Sequence, residues 1–568
     1  VSRDPLAGLD EQQRRAAETL LGPVCILAGA GTGKTRALTH RIAHGVATGV
    51  YAPDRVMALT FTTRAAGELR GRLRRLGAGQ VSARTFHSAA LAQLSFFWPQ
   101  LVGGRLPEIL PGKARMLGQA AESLRMRVDT AALRDLAAEI EWRKVRRMGL
   151  EEYGRVARTR AMPPGLGVDA VLELQQRYED LKDERRQLDF EDVLLVTAGM
   201  LDAERRVAEQ VREQYRFWVV DEYQDVSPLQ QELLELWLGP RNDLCVVGDA
   251  SQTIYSFAGA SSDYLLGFAT RYPDATVVRL ESNYRSGAGV LAAANRLMRG
   301  RPGALELRAA RTDEPAAEPT VTRWESDAAE AEGVADAIAA QLTSGIRPEQ
   351  IAVLYRVNAQ AARLEAALAE RGISARQLGG TRFFELDPIR RAMLELTSLA
   401  RTGSPKPMYE TVTDVARNIG WTVQAPESQG AVRERWEALG ALVELADQAP
   451  DGTSLAQFVA ELQERQNAQH EPTMQAVVLS TLHGAKGLEW EHVHLVGLSE
   501  GLLPISHARG FDAIDEERRL LYVGITRARR TLALHWSAEG LRGRPREPSR
   551  FLAELRSGTP GAGRRGAR

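Results

Sequence analysis

The residues that could do chemistry fall first in two short stretches. One is Ala28-Gly29-Ala30-Gly31-Thr32-Gly33-Lys34-Thr35, behind an apolar β-branched run and ahead of a helical pattern. A glycine-rich turn aims backbone N–H groups into one concavity, and the helix after it presents its positive end there. Such a loop cradles phosphates. Lys34 is placed to reach the β- and γ-phosphates of a nucleoside triphosphate, and the Thr35 hydroxyl to ligand Mg2+. Ala28 stands where the generic pattern carries glycine, so the loop is a subtype. The other stretch is Phe217-Trp218-Val219-Val220-Asp221-Glu222, an apolar strand ending in two carboxylates. Asp221 suits holding the cation through water, and Glu222 suits polarising an attacking water. A strand ending in Asp-Glu is by itself most often a solvated strand end. Paired with a phosphate loop, it supplies the second half of a site for ATP hydrolysis.

Lysine usage points to the same places. Only six of the 73 basic residues are lysine: Lys34, Lys113, Lys144, Lys182, Lys406 and Lys486. A GC-rich coding sequence accounts for the bias. Against that background Lys34 and Lys486 stand out, because each lies inside a motif.

Parallel, doubly wound sheets are the elements that position such a loop. Short apolar runs alternating with helical patterns predict strands at Val24–Ala28, Val56–Phe61, Phe217–Val220, Leu244–Val247 and Thr276–Leu280. A second set follows at Thr320–Arg323, Ile351–Tyr355, Ala476–Leu479, His492–Val496 and Leu532–His535. Two sets predict two α/β units. Each is interrupted by a stretch rich in Leu, Ala, Arg and Glu, at about 93–213 and 390–470, which reads as a helical insertion. A basic segment in the first, Trp142-Arg143-Lys144-Val145-Arg146-Arg147, could meet duplex DNA but reads first as a solvated face.

Composition bounds the rest. The 568 residues suggest three or four domains, and 44% hydrophobic with 26% charged residues is ordinary for a well-cored protein. Basic and acidic residues number 73 each, which excludes a protein that coats polyanions in bulk but not a local basic groove. Two cysteines, Cys25 and Cys245, make no disulfide framework and no metal cluster. No apolar run approaches the roughly 18 residues of a membrane span. The start, with Arg3, Asp4, Asp10 and Glu11, lacks the apolar core of a secretory signal, so a cytoplasmic, membrane-free protein is expected.

At this point an ordered series of motifs resembles a known family, the UvrD/Rep/PcrA-like superfamily 1 DNA helicases. Leu9-Asp10-Glu11-Gln12-Gln13 resembles its Q motif. Thr60-Phe61-Thr62 and Thr85-Phe86-His87-Ser88 resemble motifs Ia and Ib. Asp221-Glu222-Tyr223-Gln224-Asp225 resembles motif II, and Val247 to Tyr255, with Asp249 and Gln252, motif III. Asn283-Tyr284-Arg285-Ser286 resembles motif IV, and Leu354 to Gln360 the segment after it. Thr481 to Glu489 resembles motif V, and Glu516 to Ala528, with Arg527, motif VI. The likeness runs from Leu9 to about Leu552.

The resemblance implies two RecA-like domains. The first comprises 1–92 with 214–284 and carries a helical insertion at 93–213. The second comprises 285–389 with 473–555 and carries a shortened insertion at 390–472. A flexible basic tail follows at 556–568, where some relatives append a small helical domain. The cofactors implied are ATP and Mg2+. By resemblance Gln13 reads adenine, Tyr284 stacks on it, Glu489 binds the ribose and Arg36 supports the nucleotide. Gln252 senses the γ-phosphate, and Arg285 and Arg527 act as arginine fingers, a role worth about 10³–10⁵ in rate. Single-stranded DNA and its junctions with duplex are the implied partners, met by Thr60, Phe61, Thr62, His87, Tyr255, Phe257, Arg356, Asn358 and His483. Phe190, in Asp189-Phe190-Glu191-Asp192, is balanced between core and DNA platform.

Some positions depart from the family. Phe257-Ala258 replaces Trp-Arg, Ala250-Ser251 an acidic pair, and Ala361-Ala362 Ser-Arg; Phe384-Glu385-Leu386-Asp387-Pro388 departs from a Phe-Glu-Arg continuation. The expected activity is a 3′→5′ single-stranded DNA translocase and helicase in repair or replication, a monomer in isolation with repair proteins as partners. Three alternatives stay open: a DNA-stimulated ATPase that unwinds poorly without a partner or further domain, a helicase subunit beside a separate nuclease, and a DNA-binding scaffold with a decayed motor.

Overall fold

The computed structural model describes residues 4–128, 130–159, 162, 166–311, 317–378, 384, 386–423, 431–447, 449, 452–467, 475–506, 508–540 and 544–555. The expected tail at 556–568 and Glu385 lie outside them. The chain forms two compact units, Val1–Gly29 with Gly33–Leu280, and Ala30–Thr32 with Glu281–Arg568. Both are mixed α/β, each built on a six-stranded parallel sheet with helices, as two RecA-like domains require. No helix among the described residues is long and apolar enough to cross a membrane.

The first unit contributes β1 (Val24–Ala28), β2 (Val56–Thr60), β3 (Ser82–Thr85), β4 (Glu108–Ile109), β5 (Gln187–Leu188), β6 (Phe217–Val220), β7 (Leu244–Gly248) and β8 (Thr276–Leu280). Its large sheet runs β3-β2-β6-β7-β1-β8 with every pair parallel. The inner strands are apolar along their whole length because helices cover both faces. Parallel order puts the carboxyl ends of β1, β2, β6 and β7 on one edge. The phosphate loop, Phe61-Thr62, Asp221-Glu222 and Asp249 therefore leave the sheet on the same side.

The second unit contributes β9 (Ser282–Asn283), β10 (Arg308–Ala309), β11 (Thr320–Ser326), β12 (Ile351–Tyr355), β13 (Ala375–Gln377), β14 (Val477–Thr481), β15 (Trp490–Leu495) and β16 (Ala528–Glu539). Its sheet runs β11-β16-β15-β12-β14-β13, again parallel throughout.

Helices fill the two interruptions. In the first unit Ala114–Ser123, Thr130–Val145, Leu150–Ala157 and Val168–Glu184 close on their own core of Met116, Leu136, Tyr153, Leu174 and Tyr178. In the second, Asp387–Thr402, Met408–Ile419, Ala431–Asp447 and Leu455–Asn467 enclose Leu396, Val412, Leu439 and Phe458.

One expectation is corrected. The segment Trp142–Arg147 is solvated only at Arg146 and Arg147, since Trp142, Arg143 and Lys144 are buried. Lys144 Nζ lies 2.7 Å from Asp189 Oδ2 and 2.6 Å from Asp192 Oδ1. Arg143 Nη2 lies 2.6 Å from Glu179 Oε1. Lys182 completes the cluster with Glu179, Asp189 and Asp192. A charge run is solvated only when no carboxylates meet it, and here two neighbouring helices supply them.

Candidate nucleotide site and strand-facing residues

The phosphate loop takes its shape from two glycines. Gly31 (φ +70°) and Gly33 (φ +79°) are left-handed, a region that costs other residues. Gly33 caps the helix Lys34–Ala47, so Lys34 and Thr35 open its first turn. Gly33 also permits a close approach, since a Cβ there would lie 2.7 Å from Gln13 Nε2. Gln13 is buried and fixed by a capping box, its N–H donating to Asp10 Oδ1 at 2.7 Å and its Oε1 accepting from Asp10 N–H at 3.4 Å. Arg36 is exposed and donates to the Gly8 carbonyl at 2.8 Å. Ala28, Gly29, Ala30 and Thr32 are buried, while Thr35 is partly buried.

A chain of polar contacts starts at Lys34. Its Nζ lies 3.0 Å from Glu222 Oε1. Gln224 Nε2 donates to Glu222 Oε2 at 2.5 Å, and Gln224 Oε1 accepts from Asp249 N–H at 3.0 Å. Asp249 Oδ2 then accepts from Gln252 Nε2 at 2.7 Å. Lys34, Glu222 and Gln252 are thus joined by one chain of ion-pair and hydrogen-bond contacts, spread over the carboxyl ends of β1, β6 and β7. Glu222 itself is strained, with φ 54° and ψ 38° in the left-handed region that a β-carbon disfavours. Its N–H is fixed by Asp221 Oδ1 at 2.9 Å.

Burial and clustered charge set the protonation. Burial pushes Asp221 up to about 6, with the Glu222 carboxylate adding to the rise. Burial likewise raises Asp249. Burial alone would lower Lys34, but Glu222, Asp249 and Asp221 together outweigh it and raise the ammonium. Thr35 and Asp221 offer hard oxygen donors, which fit Mg2+ rather than a softer ion. The assembly can hold a triphosphate, keep a cation against it and orient water at Glu222.

In the second unit Arg285 Nε donates to Glu489 and its Nη1 to the Thr526 carbonyl at 3.2 Å. Arg527 is buried, and its Nε, Nη1 and Nη2 donate to Val523 O at 2.9 Å, Leu488 O at 3.0 Å and Thr526 Oγ1 at 3.1 Å. The structure therefore groups Arg285, Glu489 and Arg527, and fixes the Arg527 guanidinium inside its own unit. Tyr284 is exposed.

The residues expected to meet a strand divide by exposure. Phe257 is 64% exposed, edge-on to Tyr255 with centroids 6.0 Å apart, so it can offer a ring to a base. Phe61 packs on Phe86 at 5.7 Å. Thr60 is buried, and the Thr62 hydroxyl caps the helix Thr63–Arg75 by accepting from Ala65 N–H at 3.1 Å. His87 stacks on the exposed Phe190 at 3.8 Å and 16°. Burial, then the nearby Lys113, holds His87 down at about 4, so it is neutral. In the second unit Asn358 is exposed. His483 is held at about 4 by burial and by Arg356. Arg356 is bound by Glu517, at 2.9 Å from Nη2 to Oε1.

The motif reading gave no role to Gln224, Asp249 or Glu517. Gln224 and Asp249 sit at the ends of β6 and β7, and the usable signal was a polar residue just past an apolar run. Their contact depends on strand adjacency, which no local pattern gives.

The UvrD/REP helicase N-terminal domain matches residues 9–273, and the UvrD-like helicase C-terminal domain matches 278–429 and 423–539. The chain is 46% identical over its full length to the ATP-dependent DNA helicase UvrD2 of Mycobacterium tuberculosis, covering 85% of that protein. It is 29% identical to the ATP-dependent DNA helicase PcrA of Bacillus subtilis, over 98% of this chain and 86% of that one. To the ATP-dependent DNA helicase Rep of Escherichia coli it is 28% identical, over 96% and 94%. With both domains matched in order around the connected Lys34–Glu222–Gln252 contacts, the chain belongs to the UvrD-like helicase family.

Proposed function

We propose that this protein is an ATP-dependent DNA helicase that translocates 3′→5′ on single-stranded DNA and serves DNA repair or replication. The observation that carries the reading is the unbroken set of contacts from Lys34 through Glu222, Gln224 and Asp249 to Gln252. Phosphoryl transfer needs positioning and charge more than covalent help, and this set supplies both. Lys34 and Gln252 stabilise the γ-phosphoryl oxygens, with Arg285 and Arg527 as arginine fingers. Glu222 accepts a hydrogen bond from the attacking water and orients it. Thr35 and Asp221 would hold Mg2+, which when bound neutralises charge on the phosphates. Gln13, Tyr284, Glu489 and Arg36 orient the base and sugar. Polarity and the repair or replication setting rest on likeness to the family.

The strand track is built from rings and neutral polar groups, with Phe257 and Tyr255 as stacking surfaces in the first unit and Asn358, His483 and Arg356 in the second. Phe257-Ala258, in place of the family's Trp-Arg, favours a second reading in which the motor hydrolyses ATP on DNA but separates strands poorly alone.

The test compares strand separation on matched duplexes carrying a 3′ or a 5′ single-stranded tail, with ATP and Mg2+. Opening of the 3′-tailed duplex alone supports the first reading. DNA-stimulated hydrolysis without opening of either supports the second. Opening of the 5′-tailed duplex alone overturns the polarity. Hydrolysis surviving Lys34→Ala at the wild-type rate overturns the site.

A further inference from the structure

The two edges of the second unit's sheet carry different chemistry. Strands β12 and β14 run into the carboxyl edge, where Arg356, Asn358 and His483 follow them. Strands β15 and β16 start on the amino edge, directly after Glu489 and Arg527. All four strands are parallel, so two connections must cross from the carboxyl edge to the amino edge. One is the loop between β14 and β15, residues 482–489. The other is the helix Phe511–Ile525, which delivers Thr526 and Arg527 to the start of β16.

Glu517 lies on that helix and is buried. Its carboxylate receives Arg356 Nε at 3.1 Å to both oxygens, Arg356 Nη2 at 2.9 Å and the Ile505 N–H at 3.0 Å. A guanidinium gripped through Nε and Nη2 has one orientation, and its remaining Nη1 edge is turned away from the carboxylate. At the far end of the same helix the Thr526 carbonyl receives Arg285, and the Val523 carbonyl receives Arg527. Thr526, the cap of that helix, follows Glu517 by nine positions, about 13 Å of rise.

We infer that Glu517 is a positioning residue that couples strand binding to ATP hydrolysis, by presenting Arg356 to the strand and tying that contact through one helix to the Arg285–Thr526–Arg527 group. The inference rests on the helicase reading above. Glu517 itself touches neither strand nor nucleotide. A phosphate arriving at Arg356 is a second anion on a guanidinium that already holds one. It competes with Glu517, and any shift of Glu517 moves a stiff rod whose other end carries the nucleotide-facing arginines. Glu517 also cancels the charge of Arg356, so the strand is held here by directed hydrogen bonds more than by net charge.

Glu517→Gln tests this, because it keeps the shape and the acceptor for Ile505 while removing the charge. Expected are a fall of about tenfold or more in the stimulation of kcat by oligo-dT, and a KM for ATP and a DNA-free hydrolysis rate within about twofold of wild type. Oligo-dT binding becomes tighter and its salt slope steeper by about 0.7, the share of one released phosphate contact on a single strand. Glu517→Asp restores part of the stimulation. Stimulation and salt slope both unchanged in Glu517→Gln overturn the inference. So does a collapse of DNA-free hydrolysis in both variants, which marks a structural role only. If Glu517→Gln does not fold, Arg356→Lys decides: it keeps the charge but loses the two-edged grip, and must also lose stimulation. A wild-type protein whose hydrolysis ignores oligo-dT would instead bring down the helicase reading, and this coupling with it.

Discussion

Asp221 is the residue whose chemistry is most exposed to pH. Burial and the adjoining Glu222 carboxylate hold its pKa at about 6, above the ordinary aspartate value, so it keeps a proton that must leave before it can hold a cation. The profile of kcat/KM reads ionisations of the free enzyme, and the expected result is a fall of about tenfold per pH unit below about 6. A flat profile between pH 5 and 7.5 would contradict this. The sign for stability runs the opposite way. An acid with a raised folded pKa contributes stability below its unfolded pKa, and that contribution is lost as pH rises through about 6. Glu222→Gln leaves the Lys34 side of the site in place but weakens the grip on water, so hydrolysis should drop about 100-fold or more, read by phosphate release. Lys34, Asp221 and Glu222 were legible in the sequence because their chemistry is carried by neighbours in the chain. Gln224 and Asp249 were not, because they meet only where β6 lies beside β7.

Between elements, the buried lysines are the feature that sequence pattern misjudged. Lys144 and Lys182 join three helices, Thr130–Val145, Val168–Glu184 and Phe190–Ala203, around Asp189 and Asp192. The last helix also packs on the sheet's own core through Val193 and Leu194, so the cluster ties the insertion to the sheet. Lys182→Met leaves the carboxylates buried with less compensation and should cost about 3–5 kcal/mol in urea unfolding at pH 7. Despite burial, the lysines hold Asp189 well below its ordinary range, so its contribution is lost only as pH falls below about 4. Despite burial, Asp189, Asp192 and Glu179 raise Lys182 above its ordinary value, so its contribution persists until pH rises past about 10. The loss should therefore be equal at pH 5 and pH 9, and a loss confined to one of them would refute the cluster's role. Ten of the strands were readable as apolar runs. The edge strands β3 and β13 were not, because Ser82-Ala83-Arg84-Thr85 and Ala375-Arg376-Gln377 carry the polar residues that half-exposed edges tolerate.

For the molecule as a whole, composition and site agree on how a strand is held. The chain has a formal charge of zero, and the residues proposed to meet DNA follow suit. In the first unit they are rings, hydroxyls and a neutral His87; in the second, Asn358, a neutral His483 and an Arg356 balanced by Glu517. Position 258 is alanine and adds no cation to the track. Binding to single strands releases counterions in proportion to the phosphates neutralised, with a slope of about −0.7 for each. A track of rings with about one to three effective cations should therefore give a slope of about −1 to −2, while stacking supplies about 1–3 kcal/mol per base. The measurement is fluorescence anisotropy of labelled oligo-dT across potassium chloride concentrations. Phe257→Ala should weaken binding by about 1–3 kcal/mol and leave the slope untouched, because a ring releases no counterions. Ala258→Arg should do the opposite, steepening the slope by about 0.7 with a modest gain in affinity. A wild-type slope near −6 would mean that the strand lies on a basic surface elsewhere and that the ring track has been assigned to the wrong residues.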